Sequence, residues 1–482
     1  MTRRCGRHHF RRRAGGGAVL AAGAFCLPLL AAAAQLSSNP GLEPAAPTDP
    51  HRPLAAELVA SASPALSITL VGSLLLDSPA ARPAAFAAAV RARLAPGGQN
   101  VTIGTLQGPL IDVPGVIAYP YRWHDAPAVR APDSTAALLK SEGFTGLMLA
   151  TGHALDWGIE GMRSTEAALD AAGISHAGTG DSLGLAAHAG YIDQSAGGGR
   201  IALVSTTTGF RSTSNALGAH GEAPARPGVS GVALSALRVI SPAQSDELQR
   251  LACRFEYPGD PDRCVGLKPA RTVTALGSTF LAVADPARWG TSEYDIDIPQ
   301  ADAVLGSIRE GKESSDFLIA AVNAGQIGDG RKASPPVPAF LERLLHASIE
   351  AGADVAFATG PPELGPIELY RTKRWPGVFP VFYGLGNFAW SEGLAPPAAA
   401  TTRFDGAIVR LTTQGSHGVI DIFPLDLSTG WPRLAGRARS AAIIERLRAL
   451  SRPYGTRIDT ESEGSTVIGR ITYPLTARGT AP

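Results

Sequence analysis

Seven short apolar runs constrain this 482-residue chain more than any other feature of it. They lie at Ser67 to Leu76, Val101 to Leu106, Thr145 to Ala150, Ile201 to Thr206, Phe317 to Val322, Val355 to Ala358 and Val378 to Tyr383. Each has the length of a strand, and runs that are apolar throughout must be buried on both faces. Between them lie stretches with helical spacing at residues 81–95, 134–143, 158–173 and 338–352, each ending near Gly or Pro as helices do. Strands alternating with helices in this order predict an α/β protein rather than an all-β one. GAIVRLTTQGSHGVIDIFPLDL reads as a β-hairpin that closes the sheet, and SAAIIERLRALSRPYG as a terminal amphipathic helix. Residues 207–300, rich in Gly, Pro and Ser, read as a long excursion between core elements. With 45% hydrophobic and 18% charged residues, the chain can bury a large core.

The formal net charge of +1 hides an asymmetry, because the first 34 residues hold six arginines and no acid. Without them 37 basic and 42 acidic residues remain, a mildly acidic balance with no general attraction for nucleic acid. Those arginines precede the uncharged run Ala14 to Ala34, which closes on AAAAQ, so residues 1–34 read as an export signal. The alternative is a retained membrane anchor, since a run of that length can span a bilayer. Residues 35–66, rich in Pro, Ala and Ser, read as a flexible linker. Cys5 and Cys26 fall in the signal, which leaves Cys253 and Cys264 as the mature pair. An exported chain is expected to join them, stapling a turn-rich loop.

The stretch MLATGHALDWGIEGM places His153 where a strand ends and a helix begins, the position at which α/β proteins carry their sites. A lone histidine there serves either chemistry or the turn itself. GTGDSLG contains the GDSL string of a serine esterase family, but no D-x-x-H follows near the C-terminus, so Ser182 lacks a base. G-x-S-x-G, P-loop and H-E-x-x-H motifs are absent.

A longer resemblance rests on ITLVGSLLLD, TLQGPLID, GFTGLMLATGHALDWGIEGMRSTEAALDAAGISHAGTGDS, DFLIAAVNAG, IEAGADVAFATGPPELGPIELY and VFPVFYGLGNF, in that order. Together with PRLAGRARSAAIIERLRALSRPYGT, these resemble the CapA family of poly-γ-glutamate and capsule synthesis proteins. The likeness covers residues 67–460 and leaves 461–482 as a tail. It implies an α/β fold of calcineurin-like metallophosphatase type, a four-layer α-β-β-α sandwich with its site at the C-terminal strand ends. In the family that site is built from acidic and histidine ligands. Here the corresponding positions read Ser73 after Gly72, Gln107, then Thr151 and Gly152 before His153, Asn323 followed by Gln326, and Thr359 and Pro362. His153, Asp156, the GPIELY run and Asn387 persist.

Two divalent cations close together need bridging carboxylates and several histidines, and one imidazole with the carboxylate of Asp156 is too little to hold them. The expectation is therefore a cleft without metal or other cofactor, in a protein that serves capsule or envelope polymer assembly by binding. Its expected partners are an anionic or glycan polymer or the synthesis machinery, with the membrane met only through an uncleaved signal. The rival is an enzyme in which His153, with Asp156 or Ser73, hydrolyses or transfers a γ-glutamyl, glycosyl or phosphoester group. A third reading holds one weak cation through Asp156, Asn323 and Gln326. Export to the periplasm or beyond predicts a mature chain that begins after Ala34. N-terminal sequencing of the secreted protein checks this, and a chain that retains Met1 or Thr2 contradicts it.

Overall fold

The apolar runs fold as the strands of two large sheets. The computed structural model describes residues 66–76, 86–95, 100–114, 117–120, 128–194, 199–325, 337–372, 374–390, 405–414 and 416–475. The expected export signal, and the linker as far as residue 65, lie outside them. The chain begins with β1 (Ser67–Leu75), α1 (Ala88–Leu94), β2 (Asn100–Leu106), α2 (Thr135–Ser141), β3 (Gly146–Met148), α3 (Gly158–Ala172) and β4 (Ser175–Ala177). Next come β5 (Thr179–Gly180), α4 (Leu183–Ala187), β6 (Gly190–Asp193), β7 (Arg200–Thr207) and β8 (Gly228–Val229). A lobe follows, of β9 (Leu234–Ile240), α5 (Pro242–Glu256), β10 (Thr272–Ala275), β11 (Ser278–Ala282) and β12 (Ser292–Ile296). The path returns through α6 (Ile298–Glu313), β13 (Phe317–Asn323), α7 (Ala339–Ala351), β14 (Val355–Thr359), β15 (Ile367–Tyr370), β16 (Phe379–Phe382) and β17 (Asn387–Trp390). It finishes with β18 (Asp405–Gln414), β19 (His417–Asp426), β20 (Arg433–Leu434), α8 (Arg437–Ser451), β21 (Asp459–Glu463) and β22 (Thr466–Pro474).

The first sheet has the order β21-β22-β19-β18-β1-β2-β3-β4, with β17 beside β1 and β20 beside β19. The second runs β15-β16-β14-β13-β7-β6. Their facing sides form one apolar cluster, in which Ile68 and Leu70 of β1 and Ile103 of β2 join Ile201 and Leu203 of β7 and Ile319 and Ala321 of β13. The strand period of two sends other residues to the outer faces. Val71, Leu74 and Leu106 meet Val90, Leu94, Leu139 and Leu169 of α1, α2 and α3. Ala202, Val204, Leu318 and Ala320 meet Val304 and Ile308 of α6 and Leu341 and Leu344 of α7. Burial on both faces is why these strands read as continuous apolar runs.

Two expectations need correction. The β18–β19 hairpin does not close its sheet: β18 pairs with β1 on one side, and β19 pairs with β22 on the other. Nor does residue 461 begin a tail, because β21 and β22 extend the sheet to Pro474. The reason is mixed burial, since Thr466, Ile468, Gly469, Ile471 and Tyr473 are buried while Val467 and Arg470 are half-buried and Thr472 is exposed. A half-exposed strand of this kind has no continuous apolar run to reveal it.

The excursion at 207–300 holds its own four-stranded sheet, β10-β11-β9-β12, around a small core of Leu237, Val239 and Leu281. A Cys253–Cys264 disulfide ties α5 to the following loop, with Cα atoms 5.7 Å apart. Among the described residues no helix is long and apolar enough to cross a membrane.

The turn between β16 and β17 passes from the second sheet to the first and leaves no room beside β1. A Cβ on Gly72 would lie 2.0 Å from the Gly386 carbonyl oxygen and 2.7 Å from that of Leu385. Gly72→Ala must push this backbone aside, and a loss of about 3 kcal/mol in unfolding free energy is expected. Urea denaturation of the variant checks it, and a midpoint equal to the parent's contradicts the close approach.

Candidate functional site

Parallel strands deliver their C-terminal ends to the same side of a sheet, so residues far apart in sequence gather there. In the first sheet Ser73 of β1 lies in register with Thr105 of β2, and Gln107 follows β2. The Gln107 amide donates to Ser73 Oγ at 3.0 Å. In the second sheet Thr207, Asn323 and Thr359 end β7, β13 and β14 in register with one another. Thr359 Oγ1 donates across to Thr105 Oγ1 at 3.2 Å and accepts from the Asn323 amide at 3.4 Å. Thr207 donates to the Asn323 carbonyl oxygen at 3.1 Å. All six side chains are buried. Asn387 stands opposite Ser73 where β17 pairs with β1 and is partly exposed. The carbonyl oxygen of Pro362 lies 3.3 Å from where a Cβ on Gly386 would be, and Gly386 itself holds φ at +65°. Gln326 lies outside the described residues.

The turn from Thr151 to Trp157 follows β3. Thr151 is buried and Gly152 partly so. His153 Nδ1 is 2.8 Å from Asp156 Oδ2, and that carboxylate, with 1% of its surface exposed, also accepts from the Val129 amide at 3.1 Å. A carboxylate only accepts, so Nδ1 carries the proton and Nε2 is the ring atom free to meet a ligand. The His153 side chain is 31% exposed. Arg211, from the loop after β7, places its guanidinium 3.8 Å from Asp156 Oδ1 and donates to the Leu155 carbonyl at 3.0 Å. A buried carboxylate is tolerable only with such compensation.

Hydrogen bonds divide the expected positions into two sets, Ser73, Gln107, Asn323 and Thr359 at the strand ends and His153 with Asp156 in the turn. Ser73, the proposed helper of His153, is bonded to Gln107, and the imidazole is bonded to Asp156. Of the three donors in the cation reading, Asp156 serves His153 and Asn323 serves Thr207 and Thr359, while Gln326 lies outside the described residues. A metal pair does not fit the centre: its side-chain donors are hydroxyls and carboxamides, with no anion to offset two dications. Among the described residues no three His, Cys, Asp or Glu side chains gather as a metal-binding group. Ser182 caps α4 and accepts from the Leu185 amide at 3.3 Å.

Sequence reasoning did not single out Thr105, Thr207 or Arg211. The two threonines carried a signal, being polar residues at or one position before the end of apolar strands. Arg211 carried none, because its loop has no periodicity. The GPIELY run has a structural task as well. Its Glu368 accepts from the Tyr383 hydroxyl and lies 2.7 Å from His346 Nε2 on α7. Burial first, and the charge of Glu368 second, hold the Tyr383 hydroxyl well above the usual tyrosine range.

Comparison with known proteins places these elements in context. The family model described as bacterial capsule synthesis protein PGA_cap matches residues 67–392. Two Sinorhizobium fredii proteins, the uncharacterized y4sH and y4uA, are each 31% identical over 372 residues, covering 67% of this chain and 76% of the relative. The capsule biosynthesis protein CapA of Bacillus anthracis is 28% identical over 138 residues, 27% of this chain and 29% of its own.

Removing the Asp156 carboxylate takes the acceptor from the Val129 amide and a neighbouring negative charge from Arg211. Asp156→Ala is expected to cost about 3 kcal/mol. Asp170→Ala, at an exposed carboxylate paired with His176, is expected to change stability by less than about 0.5 kcal/mol. Denaturant unfolding of both variants compares them, and equal effects contradict the assigned role of Asp156.

Proposed function

Because this chain belongs to the bacterial capsule synthesis protein family, we propose that it is an exported protein of capsule, poly-γ-glutamate or related envelope polymer synthesis that binds its polymer, or the synthesis machinery, without metal-dependent hydrolysis. The supporting observation is the neutral centre, where Ser73, Gln107, Asn323 and Thr359 bond to one another or to Thr105 and Thr207. A four-layer α-β-β-α sandwich of metallophosphatase type suits the shared core between the sheets and the helices on their outer faces. In such a scaffold the strand-end loops form the ligand edge whatever residues they carry. The place of action on this reading is the periplasm or the cell exterior.

A second reading has one observation in its favour, the His153–Asp156 pair with its half-open imidazole. A histidine oriented by a buried carboxylate can take or give a proton at Nε2, which suits hydrolysis or transfer at a γ-glutamyl, glycosyl or phosphoester bond.

Complementation separates the two readings. Deleting the gene is expected to lower the amount of surface polymer, and both the parent and His153→Ala genes are expected to restore it. Restoration by the parent alone, with His153→Ala present at equal abundance and still binding the polymer as the parent does, favours the enzymatic reading. Unchanged polymer on deletion removes the assignment to polymer synthesis.

A further inference from the structure

Ser73, Gln107, Asn323 and Thr359, four of the residues at the family's ligand positions, are buried, and their polar groups bond one another or Thr105 and Thr207. Ser73, Thr105, Gln107, Thr207, Asn323 and Thr359 each expose less than a tenth of their surface. The Thr359–Thr105 contact joins side chains 254 residues apart, one from each large sheet. A second tie between the sheets lies close by, where the Ala150 amide after β3 donates to Ser205 Oγ of β7 at 3.3 Å. The β16–β17 turn makes a third, since Leu385 donates to the Ala358 carbonyl at 3.2 Å while the Gly386 carbonyl accepts from the Ser73 amide at 3.0 Å. The loops beyond are drawn in as well, for a Cβ on Gly209 would lie 3.2 Å from Gly325 backbone atoms.

We infer that Thr105, Thr207, Asn323 and Thr359 form a neutral hydrogen-bonded latch that holds the strand ends of the two sheets together, in place of a metal pair, with the Ser73–Gln107 pair bonded beside it within the first sheet. A dinuclear centre ties strand ends by ligating shared cations. Here neutral donors and acceptors satisfy one another directly, which leaves no buried charge to compensate. The latch is structural, so a ligand must bind outside it, at the rim formed by the His153 turn and neighbouring loops. This rests on the proposed reading of a non-metallic centre, but it concerns stability and not polymer binding.

The test is a double-mutant cycle in the full exported chain, with Thr105→Val, Thr359→Val and the pair, followed by thermal unfolding with and without millimolar Mn²⁺. Each single variant strands a buried hydroxyl and is expected to lower the melting temperature by about 2–6 °C. The pair is expected to lower it by less than the two single shifts combined, because both partners are then apolar. Thr105→Ser, which keeps the hydroxyl, is expected to stay closer to the parent than Thr105→Val, and this comparison remains readable if a Thr359 variant fails to fold. Mn²⁺ is expected to leave the parent's melting temperature unchanged. Fully additive shifts, a Thr105→Val that melts with the parent, or a Mn²⁺-dependent rise abolished by Asn323→Ala would each overturn the latch. Polymer binding and complementation report on the function independently of this result.

Discussion

The fold depends on the burial of apolar side chains between two sheets that face each other. Ile68, Leu70, Ile103, Ile201, Leu203 and Ile319 all expose 2% of their surface or less, and they come from strands of both sheets. Each buried side chain of this size contributes roughly 1.5–3 kcal/mol. Everything at the site inherits its position from this contact, because a slip of one residue in any strand would send its inward set to the helices. Ser73 and Thr105 stand side by side because β1 and β2 are held in that register.

Two polar arrangements follow strand ends of the two sheets and solve different electrostatic problems. At the centre no charge is buried, so hydroxyls and carboxamides need only find one another. At the turn a charge is buried, and Asp156 is balanced by an imidazole, an amide and a guanidinium brought from three separate segments. The first arrangement tolerates a neutral exchange of both partners. The second does not, because any single loss leaves an ion or a donor uncompensated. This asymmetry makes the histidine turn, rather than the centre, the place where the chain retains the means for proton chemistry.

The strand cores were legible because burial on both faces writes a continuous apolar run. β1, β2, β7, β13, β14 and β16 all fall within a residue or two of their expected spans. β21 was not legible at all, since every residue in it is exposed and only the pairing with β22 makes it a strand. The hairpin of β18 and β19 could be read, but its place in the sheet could not, as neighbours in a sheet are set by tertiary packing. At the site, the resemblance supplied positions such as Ser73 and Thr359, while their mutual bonding depends on distances that no linear spacing encodes. Arg211 approaches Asp156 across 55 residues of chain, through a loop without pattern.

The lobe leaves and re-enters the body of the protein through β9 and β12, antiparallel neighbours in which Leu234 lies opposite Ile296. Its two chain ends are thus about 5 Å apart, the ordinary spacing of paired strands. It carries its own sheet, its own small core and its own covalent cross-link. A segment joined to its host through one closed doorway behaves as a graft. Its outer strands and cross-linked loop could change in length without disturbing the large sheets, so long as Tyr294 of β12 keeps its edge contact with Phe340 of α7 and Ile296 its place in the core of the second sheet.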